Sequence, residues 1–400
     1  MGSLEPRDLP VAIVGGGPVG SALALYLNRY GVPVVLIDAG ASQRKICGEG
    51  ILPVGWEVIE DLGLESRLPQ RASIEALLYT MEDQGGLRTM KASLSRRGFG
   101  VARDHLFTAF RSALESSGVE LLANSRLRDF EQNRAHVTAR VEAPGGGLKS
   151  VPCRLLVGAD GLQSLVRRKA GLQSPVSRRY MRWGARCYFR ASERRQAVEV
   201  TLGRGVESYL TPLGEGLYGL AFLWSPQELG RPLPGSGSLY ERLLAFFSPA
   251  MIERLPQGRG ELMGDGRAIG PLQQLVVSPL HPSGRVALVG DAAGYFDALT
   301  GEGLCLGLRQ ARVLASCIAQ GTIWDYPDHH RSIKRRHQLV VGGLLWLIHQ
   351  PALRDRVFLA LAQSPRQFQA VIRFAVEEAR WSTLVSRDFP RFLLCLLTGR

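Results

Sequence analysis

The sequence predicts an α/β protein in which a domain built on a parallel sheet is interrupted by an antiparallel sheet and followed by helices. Short, wholly apolar runs at Val11–Val14 and Val32–Ile37 flank a helical pattern at Ser21–Tyr30. Continuous apolar strands joined through a helix are typical of a parallel sheet covered on both faces. In the middle of the chain apolar and polar residues alternate, as in antiparallel strands. From Tyr326 onward the pattern is helical.

Two further apolar runs show that the parallel-sheet domain is discontinuous. Leu155–Val157 and Val286–Val289 are short buried-strand patterns that lie on either side of the alternating stretch 179–223. We therefore expect a Rossmann-type domain from residues 1–72, 101–178 and 270–325. The inserted antiparallel domain, expected to bind substrate, comprises 73–100 and 179–269. A helical C-terminal region covers 326–400.

Composition limits the class of protein. Forty-five percent of the 400 residues are hydrophobic and 21% are charged, as in an ordinary globular protein. The net charge of +13 indicates either attraction to anionic partners or an arginine-rich composition without functional meaning. Aromatic residues are not interleaved with the basic ones, so we expect no nucleic-acid binding.

The cysteines and the N-terminus indicate a cytoplasmic protein. The six cysteines form no CxxC pair and show no metal-ligand spacing, which predicts reduced thiols and no metal site. Residues 1–10 are polar, unlike a signal peptide. The longest apolar run, Leu339–Ile348, is too short for a bilayer span, which needs about twenty residues.

A glycine-rich turn follows the first strand. In Gly15-Gly-Gly-Pro18-Val19-Gly20, the first glycine permits a tight turn, Gly17 allows backbone to approach a pyrophosphate, and Gly20 lets the helix pack on the strand. The start of that helix offers N–H groups and the positive end of its dipole to phosphates. Asp38, at the end of the second strand, is placed to bind a ribose. Together these features predict a dinucleotide site.

Two later turns have a related form. Leu155–Val157 leads into Gly158-Ala-Asp160-Gly161, and Val286–Val289 leads into Gly290-Asp291. Either aspartate, taken alone, is also explained as a helix cap or an Asx-turn. Three such turns in this order favour one shared cofactor.

These motifs resemble those of the p-hydroxybenzoate hydroxylase-like flavoproteins, a superfamily that includes group A aromatic monooxygenases, geranylgeranyl reductases and flavin halogenases. The resemblance covers nearly the whole chain and implies FAD as the cofactor. It implies that Asp38 holds the adenosine ribose, that Asp160-Gly161 lies near the pyrophosphate and the nicotinamide approach, and that Asp291 holds the ribityl chain or its phosphate side. It also implies that Arg103, at a helix start, contacts FAD. The residues expected to bind the cofactor are Gly15, Gly17, Pro18, Val19, Gly20, Asp38, Ala39, Arg44, Gly48, Arg103, Asp160, Gly161, Gly290, Asp291, Gly301, Glu302, Gly303 and Leu304.

The candidates for chemistry are Cys47, Gly301 and Gly303. Cys47 either lines the substrate channel as a thiol or is a small buried hydrophobe. Gly301 and Gly303 would bring N–H groups close to the isoalloxazine and stabilise negative charge there. Glu49 is either a proton donor or, as the plainer interpretation, a solvated loop acid. The pair His329–His330 is interpreted as surface or cap residues.

The branch of the superfamily is less sharply indicated. The segments Lys45–Gly50 and Asp291–Gly303 look like the geranylgeranyl reductases, but their Tyr-x-Trp-x-Phe-Pro segment is degenerate here, at Tyr218–Pro226. The Tyr209–Gly214 stretch is more typical of hydroxylases. We therefore expect a monooxygenase that hydroxylates a hydrophobic aromatic or polyketide-like metabolite with O2. A reductase of prenyl double bonds is the alternative, and a flavin-binding sensor without turnover is a third hypothesis. No second nucleotide motif follows, so NAD(P)H is expected to visit the flavin transiently.

The C-terminal region begins with a basic cluster before an apolar run. Arg331, Lys334, Arg335 and Arg336 precede Leu339–Ile348. This pattern suits a helix packed on the flavin domain, or one lying on an anionic membrane surface. The segment 331–348 is therefore a candidate for peripheral membrane contact.

Overall fold

The computed structural model describes residues 8–40, 49–83, 86–176, 181–230, 233, 235–255, 268–297 and 301–398. The predictions for Arg44, Cys47 and Gly48 concern positions outside these described residues. Within them, the α/β class predicted from the sequence is confirmed.

A five-stranded parallel sheet forms the first layer, with strand order β17-β10-β1-β2-β6. Its strands come from widely separated parts of the chain, because the segments that connect them also contain the strands of the second large sheet. They are β1 Val11–Val14, β2 Val34–Ile37, β6 Glu120–Leu122, β10 Leu155–Gly158 and β17 Val286–Leu288. The central strands β1 and β10 are buried at every position, as their apolar sequences predict.

Different elements cover the two faces of this sheet. One face packs against helices α1 Pro18–Arg29, α3 Arg103–Ser117 and α8 Gly303–Gln320. The other face packs against the three-stranded sheet β7 Arg126–Gln132, β8 Val137–Glu142 and β9 Leu148–Cys153 and the short helix α4 Leu165–Lys169. Helices α3 and α8 both end at glycines with φ near +75°, Gly118 and Gly321, which stop a helix without strain.

A seven-stranded sheet forms the inserted domain, with order β12-β15-β14-β13-β4-β5-β3. All neighbours are antiparallel except β13 and β4. Its strands are β3 Gly50–Ile51, β4 Ala72–Asp83, β5 Gly86–Gly100, β12 Trp183–Arg190, β13 Ala197–Leu202, β14 Val206–Gly214 and β15 Leu217–Trp224. The sheet curls so far that a Cβ on Gly100 would lie 1.7 Å from the carbonyl oxygen of Pro212. A small two-stranded sheet, β11 Gln173–Ser174 with β16 Leu275–Val276, lies outside it.

The curled sheet has an outer face and an inner face. Alternate residues of β12, β14 and β15, such as Cys187, Leu210 and Phe222, pack on the outer side against short helices. These are α5 Pro226–Leu229, α6 Leu239–Leu244 and α7 Pro249–Ile252. The residues between them, including Tyr188 and Tyr209, point to the inner side. That inner face looks toward the parallel-sheet domain.

The remaining helices are α2 Pro53–Asp61, α9 Tyr326–Ile348, α10 Pro351–Ala362, α11 Pro365–Ala375 and α12 Phe389–Thr398. The side chain of Phe368, from α11, packs edge-on against Tyr79 of β4 and thereby joins the C-terminal region to the curled sheet. Among the described helices, none is long and apolar enough to cross a bilayer.

Candidate active site

The three turns predicted from the sequence lie side by side. Strands β17, β10, β1 and β2 are neighbours and run in the same direction, so their carboxyl ends share one edge of the sheet. At this edge lie Gly15 after β1, Asp38 after β2, Asp160 after β10 and Gly290 after β17. Ligands of open α/β sheets bind at such an edge.

Glycines make the contacts between these turns. A Cβ on Gly15 would lie 2.5 Å from the carbonyl oxygen of Ala159, and one on Gly20 would lie 2.0 Å from that of Gly15. Both positions therefore exclude any other residue. On the other side, Val19 fills the space beside Gly290, where an added Cβ would come within 3.1 Å of its side chain. The first turn thus touches both of the others.

Gly17 differs from its neighbours because no protein atom lies within 4 Å of an added Cβ. It is the N-cap residue of α1, whose first turn receives no side-chain cap hydrogen bond. The space in front of Gly17 and the N–H groups at the start of α1 form a cradle for a phosphate group.

A cleft of about 330 Å³ lies beside Gly16 and Asp38. The Asp38 carboxylate lies against Gly16 and 4.0 Å from the guanidinium of Arg111. Phe107 and Thr108 of α3 line the far wall, and Asn124 closes one end. The cleft offers a carboxylate for a ribose hydroxyl and an aromatic wall for a base.

Asp160 makes the contacts of a helix cap. Its carboxylate accepts hydrogen bonds from the hydroxyl of Ser164 at 2.5 Å, and from the backbone N–H groups of Leu165 at 2.7 Å and Val166 at 3.1 Å. These bonds fix the turn at Gly161, which has φ +76°. Within the protein, the Asp160 carboxylate therefore acts as a helix cap, one of the roles that the sequence left open.

Arg167 joins the second turn to the third, and the motif analysis gave it no role. Its fully buried guanidinium donates to the carbonyl oxygens of Leu162 at 2.7 Å and Ala292 at 3.2 Å. It also donates to the side chain of Gln274. Burial lowers the pKa of Arg167, with Asp160 and Asp291 opposing. The adjacent sequence motif could have suggested this residue, but only the fold shows its partners.

The third turn rests on helix α9. Asp291 lies in a short 3-10 helix, Gly290–Ala293, and the ammonium of Lys334 lies 3.4 Å from the carbonyl oxygens of Ala293 and Gly294. Further along, Gly301 has φ +67°, and Glu302 is buried against His337 of α9. Gly303 and Leu304 then begin α8. Sequence reasoning treated the basic segment of α9 as a surface, and it missed both side chains.

Glu49 is buried on the inner side of the curled sheet, so its interpretation as a solvated loop acid is wrong. Its carboxylate accepts a hydrogen bond from the hydroxyl of Tyr188 at 2.5 Å and one from the backbone N–H of Arg103 at 3.2 Å. The guanidinium of Arg186 lies 3.2 Å away. Burial first, and the Glu49 charge second, raise the pKa of Tyr188. His330 is likewise buried and not a surface residue.

A second buried cluster, missed from the sequence, lies where the curled sheet meets the third turn. Arg182 bridges Glu207 of β14 at 2.8 Å and Asp297 at 3.0 Å. Tyr209 donates to Glu207 at 2.7 Å. Burial alone would lower the pKa of Arg182, but the two carboxylates outweigh it and raise it. Three separate segments of the chain supply these charges, and no local pattern marks them.

The edge fits FAD. The cradle at Gly17 suits a pyrophosphate, and the cleft beside Asp38 suits an adenosine. The turns at Gly290–Ala293 and Gly301–Gly303 continue the site toward the inner face of the curled sheet. The fold and the site therefore define the class: a flavoprotein with a dinucleotide fold and an adjoining substrate domain.

Comparison with known proteins agrees with this class. Residues 8–200 match the family model of the FAD binding domain. Menaquinone reductase of Mycolicibacterium smegmatis is 27% identical over 349 residues, covering 82% of this chain and 80% of the relative. The chloroplastic geranylgeranyl diphosphate reductase of Oryza sativa is 25% identical over 361 residues, covering 85% and 73%.

The fold is also shared with solved structures. A flavoprotein/dehydrogenase from Cytophaga hutchinsonii superposes with a TM-score of 0.80 at 15% identity, covering 98% of this chain and 99% of that one. This likeness concerns the fold alone. The chain is a FAD-dependent oxidoreductase, as the sequence predicted. FAD is its cofactor, and NAD(P)H is the reductant typical of the family.

Proposed function

We propose that this enzyme reduces carbon–carbon double bonds in a hydrophobic, isoprenoid-type substrate. The observation that carries the proposal is the pair of the half-buried Tyr188 and the buried Glu49, whose oxygens are 2.5 Å apart beside the start of α3. Double-bond reduction needs a proton donor in addition to a hydride, and the Tyr188 hydroxyl on the inner face of the curled sheet is a candidate for it.

The relatives support the substrate class. Menaquinone and geranylgeranyl diphosphate, the molecules in the names of the two reductases, both carry isoprenoid chains. Similarity to each extends over more than four-fifths of this chain, so it includes the inserted domain as well as the FAD domain.

In the proposed reaction the cofactor and the side chains have separate roles. Bound FAD, once reduced, supplies the hydride. Tyr188 remains protonated at neutral pH because burial and the neighbouring Glu49 raise its pKa. Its hydroxyl therefore carries a proton for the substrate, the cation of Arg186 would favour the transfer by stabilising the phenolate left behind, and solvent would return a proton to it. The guanidinium of Arg186 lies 4.7 Å above the Tyr188 ring, and its positive charge stabilises negative charge on Tyr188 and Glu49.

The test is anaerobic turnover. FAD-loaded protein is reduced, mixed with a prenyl alcohol or a polyprenyl quinone without O2, and the product is analysed by mass spectrometry. The expected product has gained one H2 per reduced double bond. In Tyr188→Phe and Glu49→Gln, single-turnover reduction should slow by about 100-fold, a typical contribution of a general acid, while FAD still binds. Glu75→Gln, a half-exposed carboxylate of β4 paired with Arg97, is the control and should change nothing.

A second candidate is the monooxygenase expected from the sequence. The Tyr209 hydroxyl and the Glu207 carboxylate, buried at the start of the hydroxylase-like stretch, form a pair that could draw a proton from a phenol. Substrate-stimulated NAD(P)H oxidation with 18O2 entering the product would establish it. If anaerobic incubation also yields no hydrogenated product, the reductase proposal is ruled out.

A membrane surface would bring such a substrate to the enzyme. In segment 331–348 the face of α9 with Lys334, Val341 and Leu345 is buried, whereas Leu339 and Trp346 are exposed. A clearer apolar stripe lies on α12, where Leu393, Leu394 and Leu397 are exposed at helical spacing.

Exposed arginines accompany this stripe. Arg387 and Arg391 are both exposed at the start of α12, which suits an anionic lipid surface. The protein should sediment with phosphatidylglycerol vesicles, and Leu394→Glu with Leu397→Glu should abolish this. Leu148→Glu, an exposed leucine of the β8–β9 hairpin, should have no effect. Unchanged sedimentation of the α12 variant would rule out this surface.

A further inference from the structure

One face of α9 carries three titratable side chains into the protein interior. His330, Lys334 and His337 follow one another at spacings of four and three, which places them on the same side of a helix. Their exposed fractions are 5%, 9% and 4%. Polar residues are seldom so fully buried unless they have partners or a role.

Lys334 contacts the backbone of the third turn. Its ammonium lies 3.4 Å from the carbonyl oxygens of Ala293 and Gly294. Burial lowers its pKa to about 8, against the opposing attraction of Asp291. The side chain therefore remains mostly charged at neutral pH, and it supports a turn that the FAD site includes.

His337 contacts the next part of the same loop. Its Nδ1 lies 2.9 Å from Oε2 of Glu302, and both side chains are 5% exposed. Glu302 stands between Gly301 and Gly303, whose N–H groups the superfamily resemblance places near the isoalloxazine. A buried carboxylate here acts on any negative charge that the flavin gains on reduction.

We propose that His337 is a positioning residue that acts through Glu302 to set how strongly the site favours reduced over oxidised FAD, whereas Lys334 supports affinity for both states. The C-terminal helical region, which lies outside the part of the chain matched by the FAD-domain family, is then part of the cofactor site. This inference depends on FAD binding and not on which reaction the enzyme catalyses.

The two members of the pair should shift the flavin in opposite directions. His337→Leu leaves the Glu302 carboxylate without its imidazole partner, so reduced FAD should bind about tenfold less tightly relative to oxidised FAD. For a two-electron couple this lowers the potential by about 30 mV. Glu302→Gln removes the negative charge and should raise the potential by a similar amount. Because His337 acts through Glu302, the double variant should have the potential of Glu302→Gln, with no further change from the loss of the imidazole.

The measurement is spectroelectrochemistry of the FAD-loaded protein, with oxidised FAD affinity measured separately by fluorescence. His337→Gln keeps a hydrogen-bond donor for Glu302, so its potential should stay nearer the parent than that of His337→Leu. If His337→Leu does not fold, His337→Gln takes its place as the test of the imidazole. His349→Gln, at the C-cap of α9, is the control and should show the parent potential. Shifts of the same sign in His337→Leu and Glu302→Gln, or no shift in either, would overturn the role of the pair.

Lys334 has a different expected signature. Lys334→Met should weaken oxidised and reduced FAD equally, by about tenfold, because the ammonium holds the turn and not the flavin-facing loop. The potential should therefore remain at the parent value, and Lys334→Arg should restore part of the affinity. A changed potential, or an unchanged affinity, in Lys334→Met would contradict this assignment.

Discussion

The carboxyl edge of the parallel sheet and the inner face of the curled sheet form the two sides of one site, but they are built differently. At the edge, Gly15 and Gly20 bring backbone against backbone, and Gly290 makes room for the side chain of Val19. On the inner face, Arg182, Glu207 and Asp297 are buried charges that hold one another. One side depends on the absence of side chains and the other on their exact pairing.

This difference matches what each side binds. A cofactor with a fixed shape needs close approach and N–H groups, which glycine turns at helix starts provide. In the proposed function the substrate lies against the inner face, where paired buried charges give this chain a surface of its own. The contrast predicts that changes on the inner face act mainly on stability and turnover, and changes at the edge mainly on FAD affinity.

The largest effect should come from the inner face. Arg182→Met removes the cation between two buried carboxylates and should lower the free energy of unfolding by about 3–5 kcal/mol, measured by urea denaturation. The matched control is Arg140→Met, which breaks an exposed pair with Glu131 and should cost less than about 1 kcal/mol. Equal effects in the two variants would show that the Arg182 cluster is not buried as described.

The next effect tests the edge. In Gly17→Ala the new Cβ meets no protein atom, so the fold should be intact, but it occupies the space of a pyrophosphate. FAD affinity should fall about 100-fold, equivalent to about 2.8 kcal/mol, measured by titrating apoprotein with FAD. Gly147→Ala, which also meets no atom within 4 Å, is the control. Full FAD affinity in Gly17→Ala would place the pyrophosphate elsewhere.

Acid should lower the stability of the protein through His330, on the buried side of α9. Burial, and then the charges of Lys334 and Arg331, lower the pKa of His330 to about 3, so the folded state keeps this imidazole neutral. The unfolded chain takes up a proton near its usual pKa of about 6.5, so stability is full above that pH and falls as pH drops toward 3. The loss between about pH 8 and about pH 5 should be about 2 kcal/mol.

His330→Gln should remove that acid-dependent loss, as seen in urea midpoints at the two pH values. The neighbouring His329 is exposed, so His329→Gln should keep the parent pH dependence. An identical pH dependence in parent and His330→Gln would show that other groups govern acid stability.

The smallest effect concerns the adenosine end of the edge. Asp38→Ala removes the carboxylate expected to hold the ribose and should weaken FAD about tenfold, or about 1.4 kcal/mol. Glu115→Ala, an exposed carboxylate on the rim of the same cleft, should change affinity by less than about twofold. Similar losses in both variants would indicate a general charge effect and no specific contact with the ribose.

Local sequence was sufficient wherever a pattern repeats along a single element. The α3 boundaries follow from the sequence because its apolar spacing ends at Gly118, and the strands β1 and β10 follow from their continuous apolar runs. The convergence of the three turns could also be foreseen, since parallel strands end at a common edge. The basic segment of α9 was harder to interpret, because Lys334 is charged in sequence and buried in the fold.

By itself, the sequence determined the class of fold and a dinucleotide site, because glycine turns after apolar strands have local causes, and the family resemblance of its motifs implied FAD. Only the tertiary structure decided that Tyr188 meets Glu49, that Arg182 meets Asp297 and that His337 meets Glu302. The partners in each pair are between 35 and 139 residues apart. A buried charge pairs with an opposite charge that the fold brings within reach, and no periodicity along the sequence predicts that pairing.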